Sequence, residues 1–99
     1  MAKPIYKVFL GKATEAWYQL SQEEQNSLMA KVGEALEKAG GKPVVLCDCS
    51  WSAEQWQFFG VEMYPDIEAV QKATELQNEF NWLRYVDSMA VLGTEWPTS

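Results

Sequence analysis

Apolar residues recur at helical spacing in two separate stretches of this chain, and strand-like runs flank each one. The first stretch has Leu28, Met29, Val32, Ala35, Leu36 and Ala39, the i, i+3/i+4, i+7 stripe of a helix lying on a sheet. Ser21, followed three residues later by Glu24, forms a capping box at its start, and Glu23 and Glu24 suit the positive end of the helix dipole. Gly40-Gly41 ends it, because glycine tolerates the left-handed conformation there. The second stripe is Ala69, Val70, Ala73, Leu76 and Phe80, opened by Asp66 as a cap after Pro65 has ruled out a continuing strand. The flanking runs 5–11, 43–51, 55–64 and 82–92 are rich in β-branched and aromatic residues and read as strands, the last closed by Gly93. Ser52-Ala53-Glu54 is short enough to make the middle two an antiparallel hairpin.

The resulting order, β-α-β-β-α-β, predicts an α+β protein of the ferredoxin-like class. Its four-stranded antiparallel sheet carries both helices on one face, since each helix has one apolar stripe. Ninety-nine residues fit one domain, expected to span 1–99. So short a chain buries only about two-thirds of its unfolded surface. Five Trp, four Tyr and four Phe are more than such a core absorbs easily, which points to a partner surface. Fourteen acids against eight bases give a net charge of −6. That charge repels nucleic-acid backbones and anionic membranes, so neither is an expected partner.

Met1-Ala2-Lys3-Pro4 leads straight into the first strand with no apolar leader, and no stretch approaches the roughly 20 apolar residues of a membrane helix. Cys47 and Cys49 sit one residue apart, on the same side of a strand, a poor geometry for a disulfide. They read as free thiols, and the expected location is the cytoplasm.

Alternation divides the hairpin into two faces. Val45, Cys47, Cys49, Gln57, Phe59, Val61 and Met63 form an apolar set expected to lie under the helices. Val44, Leu46, Asp48, Ser50, Trp56, Phe58, Gly60, Glu62 and Tyr64 form a mixed set. Exposed, its aromatics would make a large apolar patch; sealed completely, its two carboxylates would be costly. A homodimer that packs open sheet face against open sheet face around a partly wet pocket meets both demands.

The order of elements, the length and the run Phe59-Gly60-Val61-Glu62-Met63-Tyr64-Pro65-Asp66-Ile67-Glu68-Ala69-Val70 resemble the dimeric α+β barrel superfamily. The resemblance covers nearly the whole chain. It implies two ferredoxin-like protomers with their sheets facing inward. It also supplies a range of chemistries, among them cofactor-independent monooxygenases, polyketide cyclases, muconolactone isomerase-like enzymes, haem-dependent enzymes and stress-responsive proteins of uncharacterised role. Fold alone does not choose among them.

The chain contains no histidine. The second-helix histidine of many superfamily members has no counterpart in Gln71-Lys72-Ala73-Thr74-Glu75, so histidine ligation of haem and histidine acid–base catalysis are excluded. No cofactor and no metal is expected: two thiols without further soft ligands make a poor metal site, and buried free cysteine is commonly structural. Asp48, mid-strand among aromatics, is a candidate base whose proton affinity would rise in apolar surroundings, or else a satisfied structural acid. Arg84 is its natural partner, or the partner of an oxyanion, if Trp82, Arg84, Val86 and Ser88 are the inward set of strand four. Trp56, Phe58, Tyr64 and Trp82 could clamp a flat ligand, with Ser50 and Glu62 beside them and Trp17 covering the mouth; equally, the aromatics are the dimer core. Two functions follow. One is a cofactor-independent enzyme of monooxygenase, cyclase or isomerase type, acting on a hydrophobic or aromatic small molecule. The other is a non-catalytic dimeric module that binds a ligand or a protein.

Overall fold

The computed structural model describes residues 3–97. Met1 and Ala2, where the expected leaderless start begins, lie outside the described residues, as do Thr98 and Ser99 at the far limit of the expected domain. The elements are β1 (Ile5–Ala13), α1 (Glu15–Tyr18), α2 (Gln22–Lys38), β2 (Lys42–Asp48), β3 (Phe58–Tyr64), α3 (Ile67–Glu79), α4 (Trp82–Tyr85) and β4 (Val86–Gly93). The strands form one antiparallel sheet in the order β2-β3-β1-β4, the ferredoxin-like arrangement. No helix among the described residues is long and apolar enough to cross a membrane.

The local signals that start the long helices act as the sequence predicts. Ser21 Oγ accepts from the Glu24 backbone N–H at 3.1 Å, and Glu24 Oε1 accepts from the Ser21 N–H at 3.0 Å. The Ser21 backbone N–H, and then its hydroxyl, hold the Glu24 carboxyl below its ordinary pKa. The Asp66 carboxylate caps α3 by accepting from the Ala69 N–H at 2.8 Å. Gly40 takes the left-handed conformation at φ +84°, and α2 ends there.

Two boundaries differ from the expectation. β2 stops at Asp48 and β3 starts at Phe58, so a loop over 49–57 replaces the short turn at 52–54. The Asp48 carboxylate turns the chain by accepting from the Ser50 N–H at 2.9 Å and from Ser50 Oγ at 2.6 Å. A side-chain acceptor of this kind competes with the strand ladder and ends it. Strand four likewise begins at Val86 rather than at 82. Asn81 enters the left-handed region at φ 55°, which asparagine tolerates, and Trp82–Tyr85 form a helical turn. Thr14 fastens this turn to the end of β1: its N–H donates to the Tyr85 carbonyl at 3.0 Å and its Oγ1 to the Arg84 carbonyl at 2.7 Å.

The larger correction concerns which face of the sheet meets the helices. Tyr64 is only 1% exposed and packs with Ala39, Ala69, Val70 and Ala73, flanked by Ile5 and Leu36. The set that contains Tyr64, and with it Phe58, Gly60 and Glu62, therefore lies under the helices, and Trp56 sits in the 49–57 loop. The part of the apolar set that lies within β2 and β3 is the open one, while Cys49 and Gln57 fall in the loop. Val8, Met89 and Val91 on that face are 41%, 49% and 60% exposed; Val8 pairs with Val61 and Val91, and Leu10 with Phe59 and Met89. Cys47 is half-buried and Cys49 buried, both as free thiols.

Candidate functional site

The compact core fills only one end of the helix–sheet interface. It lies where Ile5 pairs with Tyr64, and small alanines of α2 and α3 let those helices come close. Toward the other end the two layers separate around a cavity of about 540 Å3. Its roof carries Met29 and Val32 of α2 and Thr74, Gln77 and Asn78 of α3. Its floor is the helix-facing set of the sheet, including Lys7, Phe9, Leu46, Phe58, Glu62 and Ala90.

Two glycines flatten that floor. Phe9 pairs with Gly60 and Phe58 with Gly11 across β1 and β3. A Cβ at Gly60 would come within 2.5 Å of the Phe9 ring, and one at Gly11 within 2.3 Å of the Phe58 ring. Each ring thus lies across the glycine opposite it, the arrangement by which aromatics cover strand glycines. The two rings meet edge to face, with centroids 6.3 Å apart.

The far end of the cavity is walled by α1 and α4. Trp17 and Trp82 stand edge to face at 6.2 Å and 90°, and Phe80 meets Trp82 at 6.4 Å. Gln57 ties the 49–57 loop to this wall. Its Oε1 accepts from the Ala13 N–H at 2.8 Å and its Nε2 donates to the Tyr18 hydroxyl at 3.0 Å.

Charge enters at the inner end, next to the core. Lys7 and Glu62 are direct cross-strand partners, and both line the cavity. The Tyr64 hydroxyl donates to Glu62 Oε1 at 2.7 Å. Burial, and then the hydrogen bond and charge of Glu62, push the Tyr64 phenol well above its ordinary pKa. The hydroxyl therefore stays protonated and remains a donor to Glu62.

Of the residues singled out from the sequence, Trp17, Phe58, Glu62 and Trp82 come together around the cavity. Tyr64 lies beneath its inner end and reaches it through Glu62. Asp48 is exposed, and its bonds from Ser50 hold its carboxyl below the ordinary range, as in an ionised turn-forming acid. Ser50 and Trp56 stay with Asp48 in the loop region, where the Trp56 carbonyl accepts from Cys49 Sγ at 3.6 Å. Arg84 is exposed and borders a separate surface hollow with Asn78, Asn81 and Leu83. The sequence reading missed Lys7 and Gln57. Lys7 stands out only as a charge among the apolar residues of Ile5-Tyr6-Lys7-Val8-Phe9-Leu10, with nothing local to assign it a partner; Gln57 gave no signal of its own.

Known structures share this architecture. The chain superposes on chlorite dismutase from Candidatus Nitrospira defluvii with a TM-score of 0.77 at 19% identity, over 98% of this chain and 42% of that one. A heme-binding protein from Thermus thermophilus gives 0.71 at 17%, over 95% of this chain and 40% of that one. A protein of unknown function from Rhodopseudomonas palustris gives 0.69 at 18%, over 99% and 86%. The chain thus spans less than half the length of the first two. No family model and no curated protein matches it. What the solved structures share with this chain is the fold, an α+β architecture with a four-stranded antiparallel sheet.

One of these neighbours is named for binding heme, so the donor set of the cavity bears on that group. The chain has no histidine, and neither cysteine lines the cavity. Among lining residues that could ligate iron, Tyr18 holds its hydroxyl against Gln57 and is 63% exposed, and Met29 is a weak thioether. Haem iron is held by histidine, thiolate or an anionic tyrosine, with methionine as a second ligand to histidine. These residues do not fit haem.

Proposed function

We propose that this chain binds a flat, hydrophobic small molecule between its sheet and its helices, and does so as a homodimer formed through the open sheet face. The cavity carries the proposal. Its volume of about 540 Å3 falls within the range of small-molecule sites, and its walls are mainly apolar and aromatic with few polar groups. Phe9 and Phe58 offer aromatic surface on the floor, and Trp17 and Trp82 offer it at the far end. The apolar open face supports the dimer: Val8, Met89 and Val91 are too contiguous and too exposed to suit a monomer in water.

A catalytic version of this reading would draw its base from Glu62, the carboxylate that faces the cavity. Asp48 and Arg84 lie outside the cavity lining, and the proposal gives them no part in binding. Native mass spectrometry of the purified protein tests both halves. The expected species is two chains with an additional small mass. Val8→Asp, which places a charge at the centre of the open face, should reduce it to one chain with unchanged far-UV circular dichroism. A wild-type monomer would remove the dimer. A dimer that takes up no flat aromatic probe would remove the ligand site.

A further inference from the structure

The charged groups that line the cavity sit together. They lie at its inner end, where β1 and β3 bring a cation and an anion into register at Lys7 and Glu62. Outward from that pair the floor is Phe9 and Phe58, and the wall is Trp17 and Trp82. A molecule lying on the aromatic floor would therefore present one end to a lysine ammonium and a glutamate carboxylate together. The ammonium has donors only; the carboxylate has acceptors only, and one of its oxygens already accepts from Tyr64. We infer that the Lys7–Glu62 pair, backed by Tyr64, is a head-group site for an aromatic hydroxyl, so that the ligand class is a flat phenol. This rests on the cavity being the ligand site.

The chemistry of the pair selects that head group. A phenolic oxygen accepts from Lys7 while its hydrogen goes to the free lone pairs of Glu62, so both charged groups keep a partner when water leaves. Hydrogen bonds to charged groups are the stronger ones. A carboxylate ligand would meet Lys7 well, but it would bring a second negative charge against Glu62 in a chain already at −6. An ether or a bare hydrocarbon has no hydrogen to give Glu62 and leaves its second oxygen desolvated with no donor from the ligand. Tyr64 sharpens the choice. Its own donation fixes the carboxylate's orientation, and burial keeps the phenol protonated, so Glu62 does not turn away from the cavity to find a donor.

Equilibrium dialysis with three probes of one shape tests this: 2-naphthol, 2-methoxynaphthalene and 2-naphthoate. On the wild-type protein, 2-naphthol should bind at least about tenfold tighter than either of the others, as one or two charge-assisted hydrogen bonds would give. In Lys7→Met, which keeps the apolar stem, 2-naphthol and 2-methoxynaphthalene should both weaken, by about threefold or more, because either oxygen accepts from the ammonium. Glu62→Gln keeps the shape and should bring the preference over 2-methoxynaphthalene below about threefold as well as reduce the discrimination against 2-naphthoate; it carries the test if Lys7→Met fails to fold. Equal binding of all three probes overturns the head-group site while leaving the cavity as a ligand site. So does tightest binding of 2-naphthoate, or a naphthol preference that survives Glu62→Gln. Failure of all three probes to bind at about 1 mM overturns the ligand reading itself, and this inference with it.

Discussion

The two ends of the helix–sheet interface are built from the same four elements and do opposite things. At the Ile5–Tyr64 end, α2 and α3 present Ala39, Ala69 and Ala73, and the layers close around a tyrosine that is only 1% exposed. At the other end the same helices present Met29, Val32, Gln77 and Asn78, and the layers stand apart around the cavity. Small residues allow close approach; larger and polar ones hold the helices off the sheet. One end thus supplies rigidity and the other supplies space. Binding sites are more exact when built on packed elements than on loops, and Glu62 and Tyr64, two residues apart on β3, sit where the packed end passes into the open one.

The contrast can be broken most severely at the closed end. Tyr64→Ala removes the largest fully buried side chain and should cost about 3–5 kcal/mol. Chemical denaturation would measure it, and a loss below about 1 kcal/mol would mean that this end is not the stabilising one. Phe58→Ala removes a ring of comparable size from the open end. Because that ring is only partly buried beside existing space, the stability cost should be under about 2 kcal/mol. Uptake of a flat aromatic probe should weaken by about two- to tenfold, since an aromatic contact of this kind is worth about 0.5–1.5 kcal/mol beyond its buried area. Equal stability losses at Tyr64 and Phe58 would erase the distinction between the two ends.

The smallest effect concerns the start of α2, the helix whose first turns roof the cavity. Ser21→Ala should cost about 1 kcal/mol by removing the cap. The same cap carries a pH signature. The Glu24 carboxyl is held below its ordinary pKa in the folded chain, so its contribution is fully present above the unfolded value of 4.5 and is lost as pH falls through the lower folded value. Ser21→Ala keeps the backbone N–H but lacks the hydroxyl that also depresses Glu24, so it should show a somewhat flatter loss of stability over the same acid range. An identical pH slope in both proteins would show that the capping box does not set it.

Elements with a local cause were legible in the sequence. Ser21 with Glu24, Asp66 with Ala69, and Gly40 at a positive φ each act within a few residues, and each stands where the sequence places it. The two missed boundaries were local in part. Asp48 and Ser50 carry a turn signal that the apolar run around them masked, and Asn81 interrupts what otherwise reads as a strand. Trp17, Phe58, Glu62 and Trp82 were legible as candidates because bulky aromatics and a mid-strand acid are conspicuous. Lys7 and Gln57 were not, because their roles depend on partners 55 and 44 residues away.

By itself the sequence determined the order of the elements, the antiparallel pairing of the two middle strands and the division of each strand into two sets of side chains. Those follow from periods of 2 and 3.6 and from capping chemistry, all of which act over short stretches of chain. Which set lies beneath the helices was decided only by the tertiary structure. A period of two fixes that Tyr64, Glu62 and Phe58 share a face, but it carries no sign. An apolar set awaiting a partner looks, in sequence, like an apolar set already buried. The path of the chain from β1 through α2 and from β3 through α3 supplies that sign. It puts Tyr64 against Ala69 and Ala73, and leaves Val8, Met89 and Val91 facing outward.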